Sequence, residues 1–472
     1  MLAKLLKRSV AALALGVALS TAAHAEPVKI TVVAKDLLTT NPEDVAHIER
    51  IEQAMAAQGT EIDIEIVDLP SAGYQDKLAL MLLSGQIPDL IYFQGGDEQF
   101  ANQELLADWR PFIAETEYLK DALWPHNAER LDNYPYLLYV FPARTKSPVM
   151  RKDWLEMTGL GAPETLDDWT ELLTTLSASD YDGNGANDTY GIIAPDNTAE
   201  LDAVFDKAFG VTSTWVQNAE GAWINSRVSD AERDKLAYYQ QLFADGLLDP
   251  EFVTSNWEVK EDKFYTGKVA LVMGTSGAVV DIYRTKMRQV HPESDLVLLD
   301  PPAGVEQGLQ AVDVSKESRG FAISALSENK ETVVKLMDFL ASPEGQMMER
   351  MGFEGTHFTR EGDTYAVTDA LGTWFPRFMM ANPSAWTPPV DLLSPIAQAS
   401  LEQGAEYFTP DNAFVWPAEY AADVDAAENN YRTSAYRFVS GEWSMDQWDQ
   451  YVADWNAAGG ERLTEYARTV LK

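Results

Sequence analysis

The chain has 472 residues, of which 74 are acidic and 36 basic, and its formal net charge at pH 7 is −38. This charge has the wrong sign for binding nucleic acid or an anionic membrane surface, so neither is expected as a partner. The chain contains no cysteine, which excludes thiol chemistry, disulfides and a lipidated N-terminal cysteine. A chain of this length exceeds what one hydrophobic core usually supports, so two domains are expected.

The N-terminal segment has the pattern of a cleaved export signal. A basic start at 4–8 is followed by an apolar stretch at 10–19 and by the small-x-small sequence Ala23-His24-Ala25. This apolar stretch is too short to span a bilayer as a helix, and no later run is long enough, so direct membrane insertion is not expected. We expect residues 1–25 to be removed and the mature protein, without a lipid anchor, to diffuse freely in the periplasm.

The residues after this segment alternate between strand and helix patterns. Alternating apolar residues predict a strand at 28–32, and Asn41 followed by Pro42 predicts the start of a helix that Gly59 ends. The pattern continues with a strand, a helix and a third strand, at 62–66, 74–83 and 90–93. This βαβαβ order indicates an α/β fold with a mostly parallel sheet and helices on both faces.

The third strand ends in a polar turn with the sequence Gln94-Gly95-Gly96-Asp97. Ligands of parallel sheets bind outside the carboxyl ends of the strands, which is where this turn lies. Gln94 and Asp97 are therefore candidate ligand residues. An ordinary loop is the alternative interpretation of the same turn.

Later elements continue the alternation. A helix is predicted at 166–176, where Thr165 and Asp168 have the spacing of a capping box. Further helices and short strands are predicted at 230–244, 269–273, 296–299, 321–323, 331–340 and 445–457. The sequence has no internal repeat and no low-complexity linker, so we expect the chain to cross between its two domains more than once.

Residues 180–188 match the start of a calcium loop, D-x-[DN]-x-[DN]-G. Ca²⁺ prefers six to eight oxygen ligands, and alternate positions of such a loop supply them. The predicted ligands are therefore Asp180, Asp182, Asn184, Ala186 (through its carbonyl) and Asp188. The twelfth position should be a glutamate but is Gly191, which excludes a calcium sensor and leaves a structural role. A plain Asp/Asn/Gly turn is the alternative. Without a cation, however, bringing these carboxylates close together costs free energy because they repel one another.

The sequence contains no catalytic motif that we recognise. Outside the N-terminal segment, histidines lie at 47, 126, 291 and 357, without the spacing of a metal or catalytic site. The sequence 274–277 is not a G-x-S-x-G nucleophile turn. Paired carboxylates can occur in any acidic protein, so a secreted carbohydrate-active enzyme, a lyase or a glycosidase, stays open as the alternative to a binding protein.

Several segments, in chain order, resemble the extracellular solute-binding proteins of carbohydrate-importing ABC systems. The likeness is to the branch that includes binding proteins for oligosaccharides such as alginate fragments. The segments that carry it are Ser-Gly-Gln-Ile-Pro-Asp-Leu at 84–90, Arg-Lys-Asp-Trp-Leu at 151–155, Pro-Glu-Thr-Leu-Asp-Asp-Trp at 163–169, the calcium loop, Asp-Gly-Leu-Leu-Asp-Pro-Glu-Phe at 245–252 and Phe-Tyr-Thr-Gly-Lys-Val-Ala at 264–270.

The resemblance implies a two-lobed periplasmic-binding-protein fold, each lobe a mostly parallel sheet flanked by helices, with the ligand in the cleft between the lobes. It places one lobe at 26–142 plus 312–371 and the other, with the calcium loop, at 143–311 plus 372–472. It also implies a monomer that is not an enzyme, captures a carbohydrate and delivers it to the membrane permease of an ABC importer. A sensor that serves a chemoreceptor is the alternative.

Sugar recognition combines aromatic faces with polar groups that bind hydroxyls. The candidate ligand residues, with the two arginines as clamps for hydroxyl or carboxylate groups, are Gln94, Asp97, Arg151, Trp257, Arg319, Trp374, Trp386 and Trp416. For each tryptophan the alternative is a place in the core, and for Arg151 it is a structural pair on the lobe surface. Trp154 and Trp169 are expected to pack beneath the calcium loop.

Overall fold

The computed structural model describes residues 26–142, 144–186, 188–195, 198–273, 276–312, 319–409, 411–414 and 416–471. The predicted export signal lies outside these residues. In the described ranges, no helix is both long and apolar enough to cross a membrane.

The helices are α1 Pro42–Ala57, α2 Tyr74–Leu83, α3 Glu98–Ala101, α4 Arg110–Ile113, α5 Pro125–Asn133, α6 Lys152–Thr158, α7 Leu166–Ser177, α8 Ala199–Phe209, α9 Asp230–Ala244, α10 Trp257–Tyr265, α11 Ala278–Val290, α12 Lys330–Ala341, α13 Pro343–Met351, α14 Pro395–Glu406, α15 Ala421–Val439, α16 Trp448–Trp455 and α17 Glu461–Val470. Short 3₁₀ helices lie at Leu119–Asp121, Ser226–Val228, Asp369–Thr373, Ala418–Tyr420 and Met445–Gln447, and a π-helical turn at Asn456–Gly460 joins α16 to α17.

The strands are β1 Val28–Val33, β2 Ile62–Ile66, β3 Leu90–Gln94, β4 Arg144–Thr145, β5 Pro148–Arg151, β6 Tyr190–Ile193, β7 Trp215–Gln217, β8 Trp223–Asn225, β9 Val269–Met273, β10 Leu296–Leu298, β11 Leu309–Val312, β12 Arg319–Ile323, β13 Phe358–Glu361, β14 Thr364–Val367 and β15 Phe408–Thr409.

The first lobe is built on a four-stranded sheet in the order β12-β3-β1-β2. β1 pairs in parallel with β2 and β3, as the βαβαβ pattern predicts, and β12 adds an antiparallel edge. The predicted caps are present: the Asn41 side chain accepts from the Glu43 N–H, and Thr165 and Asp168 form a capping box. Buried residues of this sheet and of α1, α2 and α12 form the first hydrophobic core.

The second lobe contains a sheet in the order β10-β5-β9-β6. Here β6 and β9 are parallel, but β5 is antiparallel to both β9 and β10. The α/β prediction is confirmed, and this sheet is more mixed than we expected. The difference arises because β5 enters directly from the connection between the lobes, without the crossover helix that a parallel neighbour requires.

The chain passes between the lobes three times. Buried residues of the first core end at Val140, resume at Phe321 and end again at Met380, whereas those of the other two clusters lie at 149–309 and 397–467. Short strands accompany these passages: β11 pairs with β4 and β15, and Val140 bridges Met380. Residues 378–380 pack in the first core, so the third passage follows them, later than the predicted boundary at 371/372. The exact lobe boundaries remain a prediction.

Candidate functional site

A cavity of about 600 Å³ lies between the two lobes, a volume typical of a ligand pocket. One wall is α11 of the second lobe, and the opposite wall is Arg350 together with residues 367–374 and Pro376 of the first lobe. The connecting segments supply Phe141 and 391–394. We call this space the inter-lobe cavity. Because both lobes and their connections line it, any hinge motion changes its shape.

The two walls touch where Gly372 meets α11. A Cβ added at Gly372 would lie 2.4 Å from Oγ1 of Thr285, so the Thr285 side chain would have to shift. Glycine therefore lets the 3₁₀ helix Asp369–Thr373 lie close against α11 without displacing Thr285.

Three arginines line the inter-lobe cavity, in different states of pairing. Arg284 donates from Nε to Asp295 at 2.7 Å, and Arg288 makes a long contact of 3.4 Å to the Pro292 carbonyl. Arg350, on the opposite wall, has neither a hydrogen bond nor an ion pair with any residue that the structure describes. Burial lowers the pKa of the Arg350 guanidinium. Sequence reasoning missed all three arginines, because helix patterns do not reveal which residues face another lobe.

Trp374, a predicted ligand platform, lines the inter-lobe cavity but is 4% exposed. Its Nε1 donates to the Glu349 carbonyl at 2.7 Å, and the rings of His47 and His357 lie 5.3 and 5.1 Å from it. The Trp374 ring is thus packed within the first lobe. This agrees with the alternative considered for each tryptophan, a place in the core.

His47 lies beneath Trp374 in a fixed, uncharged form. Its Nδ1 accepts from Arg50 Nε at 3.0 Å, so Nε2 carries the proton that it shares with Glu349 at 2.5 Å. Burial lowers the pKa of this imidazole despite the neighbouring carboxylate. The group therefore positions Trp374 and the end of α13 rather than acting as a base.

Trp257 is the candidate residue that contacts the other lobe. It opens α10, is 42% exposed, and its ring centre lies 4.5 Å from Nζ of Lys35, just beyond β1. This cation–π contact joins the carboxyl end of a first-lobe strand to a second-lobe helix. It lies at the side of the sheet where ligands of α/β folds bind.

Gln94 and Arg319 are brought together as direct neighbours on β3 and β12. Asp97, three residues further on, is completely buried, and burial raises the pKa of its carboxyl, which also interacts with the Tyr136 hydroxyl. β3 therefore ends at a half-buried Gln94, and the turn after it leads to the buried Asp97.

Among the predicted ligand residues, all of which the structure describes, only Trp374 lines the inter-lobe cavity; Trp257, Gln94, Asp97 and Arg319 do not, and neither do the three candidates that follow. Arg151 is 4% exposed, pairs with Asp153 at 2.6 Å and stacks on Trp154, which matches the structural alternative. Trp386 is half-buried in the third connecting passage. Trp416 packs edge-on against Phe414, with ring centres 4.7 Å apart.

A second cavity, of about 230 Å³, lies inside the second lobe and is lined by Trp416 and by a buried charge cluster. Nζ of Lys235 lies 2.8 Å from Asp202, 2.6 Å from Asp206 and 2.9 Å from Glu232. These carboxylates raise the pKa of the Lys235 ammonium, and burial raises that of the Asp206 carboxyl. In the sequence, this cluster is indicated by the i,i+4 spacing of Asp202 and Asp206 on α8 and by the i,i+3 spacing of Glu232 and Lys235 on α9. The sequence does not show that the two helices pack together.

The predicted calcium loop holds an ammonium group. Lys268 Nζ lies 2.7 Å from Asp182 and 2.9 Å from Asp188, and the Asn184 amide nitrogen donates to both carboxylates. Asp180 accepts the backbone N–H groups of Asn184 and Gly185. Among the described residues, no three acidic or histidine side chains are arranged to hold a metal ion. The oxygens suit Ca²⁺ chemically, but Lys268 would have to withdraw.

Two further details of this loop follow from packing. A Cβ at Gly191 would lie 2.7 Å from Cδ2 of Leu173, so the closing glutamate of a sensor loop has no room here. Trp154 and Trp169 are both buried, and the Trp154 ring lies 5.2 Å from that of Tyr181 in the loop. The Trp169 ring packs edge-on against Phe205, with ring centres 5.3 Å apart.

The comparisons with known proteins agree with this architecture. The model of the bacterial extracellular solute-binding protein family matches residues 46–347. The chain belongs to this family. The predicted resemblance to solute-binding proteins of carbohydrate ABC importers is confirmed, and the enzyme alternative has no support among the relatives.

Curated relatives of this solute-binding protein are distant. The polygalacturonan/rhamnogalacturonan-binding protein YtcQ of Bacillus subtilis is 22% identical, with 88% of this chain and 86% of YtcQ covered. Lipoprotein LipO of the same organism is 26% identical, and the match spans 63% of this chain and 61% of LipO. The fructooligosaccharide-binding protein FusA of Streptococcus pneumoniae is 24% identical over 48% of this chain and 46% of FusA.

Solved structures show the fold of the solute-binding protein. Alginate-binding protein AlgQ2 without calcium superposes with a TM-score of 0.67 at 17% identity, covering 94% of this chain and 98% of AlgQ2. An EF-hand mutant of S. pneumoniae FusA with fructo-nystose gives 0.66 at 16% identity, with the same coverage. These likenesses confirm the two-lobed fold.

Proposed function

We propose that the protein captures an oligosaccharide between its lobes, closes by hinge bending and delivers the sugar to the permease of an ABC importer. The observation that carries this proposal is the inter-lobe cavity, because both lobes and the connecting segments line it. A ligand that contacts both walls favours the closed form, since its affinity for that form exceeds its affinity for the open one.

The carbohydrate nature of the ligand is supported by the relatives and by the side chains of the cleft. The names of YtcQ and FusA specify saccharides. Trp257 offers an aromatic face between the lobes, and Gln94 and Arg319 are adjacent polar groups at the carboxyl end of β3. These three residues lie outside the lining of the inter-lobe cavity and are our candidates for further sugar contacts, together with the half-buried Trp386 of the third connecting passage.

We further propose that the loop at 180–188 binds Ca²⁺ in a structural role, through the oxygens of Asp180, Asp182, Asn184, Ala186 and Asp188. The donor chemistry supports this, and so does the attraction that the carboxylates exert on Lys268, whose pKa they raise. Bound Ca²⁺ would supply the positive charge that Lys268 supplies here.

The export pattern at 1–25 and the absence of cysteine support a location in the periplasm without a lipid anchor. We propose that the protein acts there as a monomer, binds no nucleic acid and catalyses no reaction. The permease that receives the ligand is then its protein partner.

A thermal-shift screen of the mature protein against oligosaccharides tests the proposal. A ligand at 100 times its dissociation constant should add about 2.7 kcal/mol to the free energy of unfolding. We expect one sugar class to raise the melting temperature and to be recovered intact by chromatography. Consumption of the sugar would refute the binding-protein assignment, and no shift with any saccharide would refute the carbohydrate assignment.

A further inference from the structure

We propose that the captured oligosaccharide is acidic, and that Arg350 binds its carboxylate inside the inter-lobe cavity. The ligand would be an oligosaccharide that contains a uronic acid. This inference rests on the proposed function and specifies its substrate class.

Arg350 lies at the C-terminal end of α13, on the first-lobe wall of the cavity. Among the residues that the structure describes, none hydrogen-bonds to it or forms an ion pair with it. Glu349, the adjacent acid, bonds to other groups: one carboxylate oxygen contacts His47 Nε2, and the other accepts the Phe378 N–H. A guanidinium stays protonated at neutral pH, so a desolvated and uncompensated charge faces the cavity.

The opposite wall carries further positive charge. Arg284 and Arg288 are four residues apart on α11 and therefore share a face. Arg284 is held in place by Asp295, and the exposed Arg288 makes a long contact to the Pro292 carbonyl. The pKa of Asp295 is lowered chiefly by its hydrogen bond from Arg284, and the charge of Arg288 adds to this effect. A carboxylate in the cavity thus has one arginine in the first lobe and two in the second.

Three acids also line the cavity, so its positive charge is partly balanced. Asp369 and Asp391 are exposed, whereas Asp281 is buried and accepts the Ser394 N–H at 3.0 Å. Asp281 and Asp369 also act on Arg284, whose pKa rises chiefly through its hydrogen bond to Asp295. Arg350 has no such ion-pair partner among the described residues, and burial lowers its pKa.

A carboxylate matches a guanidinium with two parallel hydrogen bonds, a geometry that a neutral hydroxyl does not reproduce. A carboxylate on the ligand also favours closure, because only the closed cleft brings the arginines of both walls to the same ligand.

The test is isothermal titration of the mature protein with trigalacturonate, with a neutral trisaccharide and with a sulfated trisaccharide. We expect trigalacturonate to bind best, and Arg350→Ala to weaken its binding about 10- to 100-fold. Arg350→Lys keeps the charge and should recover part of the loss. Arg233→Ala removes an exposed arginine of α9 and should leave the affinity unchanged.

Melting temperatures without ligand show that each variant is folded. If the neutral trisaccharide binds best, or if Arg350→Ala leaves trigalacturonate binding intact, the acidic-ligand inference is wrong and the proposed function stands. Preference for the sulfated sugar would overturn the carboxylate assignment. Failure of every saccharide to bind would overturn the proposed function and this inference together.

Discussion

Lys35 of the first lobe places its ammonium 4.5 Å from the ring centre of Trp257 in the second lobe. This contact exists only while the lobes are close together, so it contributes to the closed form. A cation–π contact at an exposed site is worth about 0.5–1 kcal/mol.

Trp257→Ala should therefore weaken ligand binding about 2- to 5-fold, because the closed form loses this stabilisation. Titration with the identified sugar measures the effect. Trp443→Ala is the matched control: its ring stacks on Arg437 within one lobe, so it should alter the melting temperature and leave affinity unchanged. Equal affinities for Trp257→Ala and the wild type would contradict a role for the contact in closure.

Chelation should lower the melting temperature of the calcium-loaded protein. Lys268→Met should enlarge this drop, because the metal-free loop then loses the ammonium that separates Asp182 from Asp188. Lys152→Met, on an exposed helix face with Glu156 3.9 Å away, serves as the control. A melting temperature insensitive to chelator in both the wild type and Lys268→Met would exclude calcium from this loop.

Lys235→Met should destabilise the protein by about 3–5 kcal/mol, since it leaves buried carboxylates without their common partner. Urea unfolding measures the loss. The control is Lys29→Met, which removes an exposed pair with Glu65 and should not shift the midpoint measurably. A small effect at Lys235 would mean that the carboxylates are already protonated in the folded protein.

Acidification should destabilise the protein through His47. Burial lowers the pKa of this imidazole, so the unfolded chain takes up a proton below its ordinary pKa of 6.5 and the folded chain does not. Stability is therefore full above this value and falls as the pH falls below it. His47→Gln should lose less stability than the wild type between pH 7.5 and 5.5 in thermal melts, and equal losses would show that other groups dominate.

Local sequence patterns predicted the elements of the first sheet and their caps. The parallel pairing of β1 with β2 follows from the strand-helix-strand order along the chain, and the capping box at Thr165 depends on residues three positions apart. The inter-lobe cavity depends instead on contacts between distant segments. Arg350 and Arg288 carry no local signal, and the burial of Trp374 follows from packing against His47, far away in the sequence.

The threefold passage of the chain means that neither lobe is encoded as one contiguous stretch. A fragment ending at 142 would lack β12, the edge strand that closes the first sheet beside β3. That fragment would expose an unpaired strand edge and invite aggregation. Neither lobe can therefore be produced or exchanged as one contiguous segment of the chain, because each is completed by residues that follow those of the other lobe.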